Sequence, residues 1–182
     1  YVEAALERGL RIDDFAPRLS FFFNSHSDFF EEIAKFRASR RIWHKLMTGR
    51  YGAENERSAW MRFHTQTAGV SLTPQQPLNN LTRVALQALA AVLGGTQSLH
   101  TDAYDEVLSC PTEFGARIAV ATQNILREEA HLPDVIDPLG GSFYVESLTD
   151  AMEEKILAIM KSVDDAGGMY KAVESGLVQR MI

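Results

Sequence analysis

Apolar residues recur at helical spacing through much of this chain. Phe29, Ile33, Phe36, Trp43 and Met47 mark one stripe, on a helix predicted from about Asp28 to Met47. Leu78, Leu81, Val84, Ala85, Ala88, Leu89 and Val92 mark a second, which the Gly94-Gly95 pair can stop. Phe114, Ile118, Ala121 and Ile125 mark a third, opened by Pro111-Thr112 and running to about Ala130. Thr73-Pro-Gln-Gln76 and Ser147-Leu-Thr-Asp150 have capping-box spacing and predict further helix starts. Between these stripes the period changes to two. Arg18-Leu-Ser-Phe-Phe-Phe23, Met61-Arg-Phe-His-Thr-Gln66 and Thr96-Gln-Ser-Leu-His-Thr101 read as strands, and each is followed by a helix.

Those strands have an unusual composition. Strands between helices belong in a parallel sheet, where both faces are normally apolar. Here alternation puts Arg18, Ser20 and Phe22 on one face, Arg62, His64 and Gln66 on the next, and Ser98, His100 and Asp102 on the third. One polar triplet reads most simply as an edge strand or a satisfied core group. Three in succession point to a polar cavity shared by all three strands. The order is then a leading helix (Val2 to Arg8), three βα units, and trailing helices over 148–176, within a single unit 1–182. Recurring βα units fit a doubly wound sheet or part of a (β/α)8 TIM barrel. Three strands cannot close a barrel, so the expected fold is α/β, a partial barrel.

Composition narrows the function further. The net charge of −6 and the dispersed basic residues give no nucleic-acid groove, and the basic run from Lys35 to Lys45 reads as a solvated helix face. One cysteine, Cys110, excludes a disulfide framework and a thiolate metal cluster and fits a reducing, cytoplasmic setting. No apolar run reaches transmembrane length, so no membrane partner is expected. The chain opens without Met and in mid-helix, which points to a piece of something longer. His26 and His44 read as a loop residue and a surface residue.

At Arg18-Leu-Ser-Phe-Phe, Arg62-Phe-His-Thr-Gln-Thr-Ala-Gly69 and Gly95-Thr-Gln-Ser-Leu-His-Thr-Asp-Ala-Tyr-Asp-Glu106 the chain resembles the methylmalonyl-CoA mutase family, specifically its large catalytic subunit. Asp137-Pro-Leu-Gly-Gly-Ser142 and Gly167-Gly-Met169 match as well, and the likeness runs through essentially the whole chain in the family's order. It implies the later part of the substrate-binding barrel. It also implies an isomerase that uses adenosylcobalamin (vitamin B12) and radical chemistry to rearrange the carbon skeleton of an acyl-CoA. The expected partners are that acyl-CoA, a cobalamin-binding domain or small subunit, the remainder of the barrel, and further copies in an oligomer.

By the same resemblance, Arg18, Ser20 and His64 stand where the family binds its CoA substrate. Gln66, Asp102, Glu106 and Ser109 stand where it binds the cofactor. Position 102 is commonly Asn in the family and position 109 usually Ala, so Asp102 and Ser109 depart from it. The residues that select the acyl group, and the Asp-x-His-x-x-Gly signature that ligates cobalt, match nothing here. The segment is therefore expected to hold no catalytic residue or metal ligand of its own and to be inactive alone. Two other readings fit the strands: a non-catalytic assembly module, and a metal-dependent barrel hydrolase or aldolase using His64, His100 and Glu106.

Overall fold

The computed structural model describes all residues 1–182. Two short helices, α1 (Val2–Leu6) and α2 (Ile12–Phe15), lead through a 3-10 turn, Ala16–Arg18, into strand β1 (Phe21–Ser25). Helix α3 (Phe29–Lys45) follows, then β2 (Phe63–Thr67), α4 (Asn79–Leu93), β3 (Ser98–His100) and α5 (Glu113–Asn124). The chain ends in α6 (Phe143–Asp165), α7 (Met169–Glu174) and α8 (Leu177–Met181). None of these helices is long and apolar enough to cross a membrane.

The three strands are parallel and lie in the order β1-β2-β3. A doubly wound sheet reverses its strand order at a switch point. This one does not, and three consecutive βα units in spatial order are the arrangement of part of a βα barrel. Register aligns Phe22, His64 and Ser98 in one row and Asn24, Gln66 and His100 in the next.

The two faces of the sheet differ sharply. Phe63 packs with Phe36 of α3 and Ala91 of α4, with Phe21, Phe23 and Leu99 around them. The Phe63 and Phe36 rings stack at 5.2 Å, and Phe23 meets Phe63 edge-on at 5.4 Å. This face is the core. On the other, Phe22 is 62% exposed and leans on the His64 ring at 5.0 Å. Helices therefore cover the odd-numbered side of β1 and β2 and leave the His64 side free of them.

The strands differ from the expected bounds in a physically simple way. Pro17 favours the first turn of a helix, and Ala16–Arg18 winds into a 3-10 turn, so β1 starts at Phe21 rather than Arg18. Arg18 and Ser20 are both exposed and precede the strand instead of lying on it. Arg62 likewise precedes β2, where its guanidinium donates to the carbonyls of Pro17 and Leu19 and fastens the approach to β1.

Helix starts were legible where the cap is local. Asp28 accepts from the Glu31 N–H, and Thr112 accepts from the Gly115 N–H at 3.0 Å. Elsewhere they moved. Ser142 caps α6, five residues before the 147–150 capping-box candidate, and α4 begins at Asn79 because Gln76 takes a positive φ of 50°. Gly94 touches the core directly, since a Cβ there would sit 2.4 Å from the Phe36 ring. The predicted stripe of α5 is mostly not buried: Phe114 and Ile125 are exposed, Ile118 is half-buried, and the only fully buried residues of the helix are Gly115 and Ala119. β3 is an edge strand, so α5 has no further layer to cover that stripe.

The basic run on α3 is not a solvated face. Arg37, Arg41 and Lys45, four residues apart, oppose Glu146, Asp150 and Glu153 on α6. Arg37 is the most enclosed, bonding both Asp137 oxygens at 3.1 Å, Glu146 at 2.7 Å and Thr149 at 3.0 Å. This ladder binds α6 to the first βα unit alongside the small apolar contact of Ile33, Ala90 and Val145.

Candidate functional site

The site lies along the helix-free face and beyond the carboxyl ends of the strands. In the middle of that face, His64 of β2 and Ser98 of β3 are register partners, and alternation turns both away from the helices. Their side chains meet, with His64 Nδ1 2.7 Å from Ser98 Oγ. That bond uses one ring nitrogen and leaves Nε2 for another partner.

One row further along, Gln66 reaches past the strand end, where its Nε2 donates to Asp102 Oδ1 at 2.8 Å. Asp102 is buried, and its backbone N–H donates to Thr67 Oγ1 at 2.9 Å. His100 Nε2 lies 3.4 Å from the same Oδ1. Asp102 Oδ2, by contrast, has no hydrogen-bond partner in the chain. It faces Gly69, where a Cβ would come within 3.3 Å of it. Glu106 completes the group: ligand atoms of His100, Asp102 and Glu106 all lie within 4.8 Å of one another. Burial, and then the charge of Asp102, push the Glu106 carboxyl above its ordinary value. Two carboxyl groups with spare acceptor capacity, an amide and an imidazole thus meet at the carboxyl end of a parallel sheet, where such folds place their ligands.

The residues singled out from the sequence fall into three places. Gln66, Asp102 and Glu106 converge, with His100 beside them. His64 pairs with Ser98 in mid-sheet and is not a member of the His100–Asp102–Glu106 group. Arg18 and Ser20 stand at the opposite, amino-terminal edge of β1. Ser109 is exposed, and its hydroxyl donates only to the Cys110 carbonyl, at 3.1 Å. His26 and His44 are exposed, as expected.

Asp105 was not foreseen. It is buried, and one carboxylate oxygen accepts from both the N–H and the hydroxyl of Thr112, at 3.0 and 2.6 Å. Those bonds hold its carboxyl below the ordinary range. They pin the far end of the Asp102–Glu106 loop to the start of α5. Gly115 gives it room, since a Cβ there would lie 2.3 Å from Asp105 Oδ1. An Asp-Glu pair after a strand carried no sign of which carboxylate turns inward.

A barrel-like sheet with a polar, helix-free face and a cluster of polar side chains at its carboxyl end defines a class, part of a βα barrel. Comparison with known proteins narrows it. The family model for methylmalonyl-CoA mutase matches residues 1–182. The chain is 53% identical over 182 residues to methylmalonyl-CoA mutase of Escherichia coli (strain K12), covering all of this chain and 25% of that protein. It is 52% identical over 182 residues to the 2-hydroxyisobutanoyl-CoA mutase large subunit of Aquincola tertiaricarbonis, again all of this chain and 32% of the relative. With the mitochondrial methylmalonyl-CoA mutase of Homo sapiens it shares 48% over 177 residues, 97% of this chain and 24% of that one. This chain belongs to the methylmalonyl-CoA mutase family. It spans 24% to 32% of the length of these relatives.

Proposed function

We propose that this chain forms part of an adenosylcobalamin-dependent acyl-CoA mutase, an isomerase that rearranges the carbon skeleton of a short acyl-CoA such as methylmalonyl-CoA. The observation that carries this reading is the helix-free polar face. A stable parallel sheet normally buries both sides behind apolar residues, whereas here a row of hydrogen-bonding side chains runs from the middle of the sheet to its carboxyl end. Such a surface suits a long, narrow ligand with amide and carbonyl groups spaced along it, which describes the pantetheine arm of a CoA ester.

In this reading, Arg18 and Ser20, at the amino-terminal edge of β1, receive the CoA portion. A guanidinium presents a fixed fork of donors matched to phosphate or carbonyl oxygens. His64, oriented by Ser98, offers Nε2 to the thioester or the pantetheine amides. Gln66, Asp102 and Glu106 hold the cofactor, with Ser109 further along the same loop. The donor set fits that task. The free Asp102 oxygen and the Glu106 carboxyl can accept from hydroxyl groups, and the Gln66 amide can both donate and accept. When bound, adenosylcobalamin supplies the carbon-centred radical chemistry of the rearrangement. This chain's own residues bind, orient and exclude water from the reacting groups. The rest of the barrel and a cobalamin-binding domain or small subunit complete the site, and assembly into an oligomer follows the same reading.

The test uses the full-length protein with adenosylcobalamin and a set of acyl-CoA esters, following isomerised product by mass spectrometry. Skeletal isomerisation of at least one ester supports the reading. Cofactor-independent chemistry, or none with any ester, overturns it. The clustering of His100, Asp102 and Glu106 gives a second reading, a divalent-metal hydrolase or aldolase. Stoichiometric zinc or manganese in the purified protein, with hydrolysis of an ester substrate, would favour that one instead.

A further inference from the structure

Helix α4 carries two side chains that its amphipathic pattern assigns to the outside and the fold places in the interior. Asn80 and Gln87 are both fully buried, at 0% exposure. They are seven residues apart, two helical turns, and so share one face about 10 Å from end to end. A buried primary amide is costly unless its hydrogen-bonding capacity is met. Asn80 meets all of it. Its Nδ2 donates to the Thr73 and Tyr104 carbonyls at 3.0 and 2.9 Å, and its Oδ1 accepts from the Thr73 N–H at 3.1 Å and from Arg83 at 2.9 Å. Gln87 Nε2 donates to Ser27 and Ser71 at 2.9 and 2.6 Å. Its Oε1 accepts from the Ala68 N–H at 3.0 Å, and its own carbonyl accepts from Ser25 Oγ at 2.8 Å.

The partners of these two residues have one thing in common. Ser25 and Ser27 lie at the end of β1 and in the loop after it. Ala68, Ser71 and Thr73 lie in the loop after β2, and Tyr104 in the loop after β3. Every connection at the carboxyl end of the sheet is therefore tied to one helix face, and four of the ties are to backbone groups (the N–H of Ala68 and Thr73, the carbonyls of Thr73 and Tyr104). Leucine at either position would fill comparable volume but could not satisfy those groups. What the amides uniquely supply is the relative placement of three loops, one of which carries Asp102 and Glu106.

We propose that Asn80 and Gln87 are positioning residues, an internal brace on α4 that fixes the three strand-end loops relative to one another and so sets the cofactor-facing surface. This rests on the functional reading above, and it has a readout that does not. The experiment compares Asn80→Leu, Gln87→Leu and a control, Val84→Ala, in the full-length protein. Val84 is buried between them on the same helix, and its apolar side chain makes no hydrogen bond, so its truncation lowers stability without removing a tie to a loop.

Adenosylcobalamin affinity is measured by absorbance titration, and amide hydrogen exchange is measured on the ligand-free protein. Loss of one brace hydrogen bond corresponds to roughly a tenfold change in affinity or local opening. The proposal expects cobalamin affinity to fall about tenfold or more in both leucine variants and less than about twofold in Val84→Ala at an equal or larger loss of Tm. It also expects the Thr73 amide to exchange about tenfold faster in Asn80→Leu and the Ala68 amide in Gln87→Leu, each without the other. Affinities that follow Tm along one line for all three variants, or exchange that rises uniformly across the loops, overturn the brace. Failure of the wild type to bind cobalamin counts against the functional reading, and the exchange pattern then decides the brace by itself.

Discussion

Replacing Asp102 by Asn should stabilise the ligand-free protein, although it removes a charged residue that makes a good hydrogen bond. The Asp102 side chain is fully enclosed, with 0% exposure. One oxygen accepts from Gln66, and the other has no partner. An unsatisfied buried polar group costs about 1–3 kcal/mol, and more when charged. Glu106 adds repulsion, because its carboxyl comes within 4.8 Å of that of Asp102. Two full charges at that separation repel by roughly 3 kcal/mol at an effective dielectric near 20. Glu106 is partly exposed and can take up a proton, so only part of this is felt.

Asn keeps the acceptor that Gln66 uses, discards the charge, and puts an NH2 donor where the unpaired oxygen stood, near the Glu106 carboxyl. The net gain is about 1–3 kcal/mol, or a rise in Tm of about 2–10 °C for a folding unit of about 150–250 residues. The assay is thermal unfolding of ligand-free Asp102→Asn at pH 8, above the usual imidazole range, with the Glu106 carboxyl followed by carbon-13 NMR. Its titration should move down towards the ordinary value, because burial still raises it but the Asp102 charge that adds to that effect is gone. A lower Tm, or an unmoved Glu106 titration, would refute the reasoning and show that the Asp102 charge is compensated in the apo protein.

Two further outcomes follow from the core and the ion ladder. Phe63→Ala should cost about 3–5 kcal/mol, a large share of a typical domain's stability, read as a lower urea midpoint; a loss under about 1.5 kcal/mol would mean that the ring stack with Phe36 is not central. Glu146 is held at about 2, well below its ordinary carboxylate value, first by its hydrogen bond from Arg37 and then by that from the Gly141 N–H. A lowered folded value means that its stabilisation is complete above the ordinary carboxylate range and is lost as pH falls towards 2. The stability difference between wild type and Glu146→Gln should therefore shrink steadily between pH 5 and pH 2, and a pH-independent difference would contradict that assignment.

Period-two polarity on three strands between helical stripes was enough to anticipate a parallel sheet with a polar side, and His64 and Ser98 do meet there. Strand ends were less legible. The 3-10 turn at Ala16–Arg18 moved Arg18 off β1, because local turn chemistry overrode an alternation that continues on paper from 18 to 23. Asn80 and Gln87 were invisible for a different reason. A polar residue in an amphipathic helix reads as solvent-facing, and only the loops folded against α4 reveal that the amides bond backbone. The Arg37–Arg41–Lys45 stripe was misread similarly, since its acidic partners lie on α6, about a hundred residues on. Phe114 and Ile125 show the converse: an apolar stripe finds no cover when its strand is at the edge of the sheet.

The central claim is that the helix-free face lies along the tail of a CoA ester, and photo-crosslinking addresses it directly. A CoA ester carrying a diazirine on its pantetheine arm is bound to the full-length protein, irradiated, and the adducts are mapped by mass spectrometry. Adducts at Phe22, His64 and Ser98, displaced by unmodified ester, are the predicted result. Adducts confined to the outer surfaces of α3, α4 and α5, with none on the three strands, would contradict it.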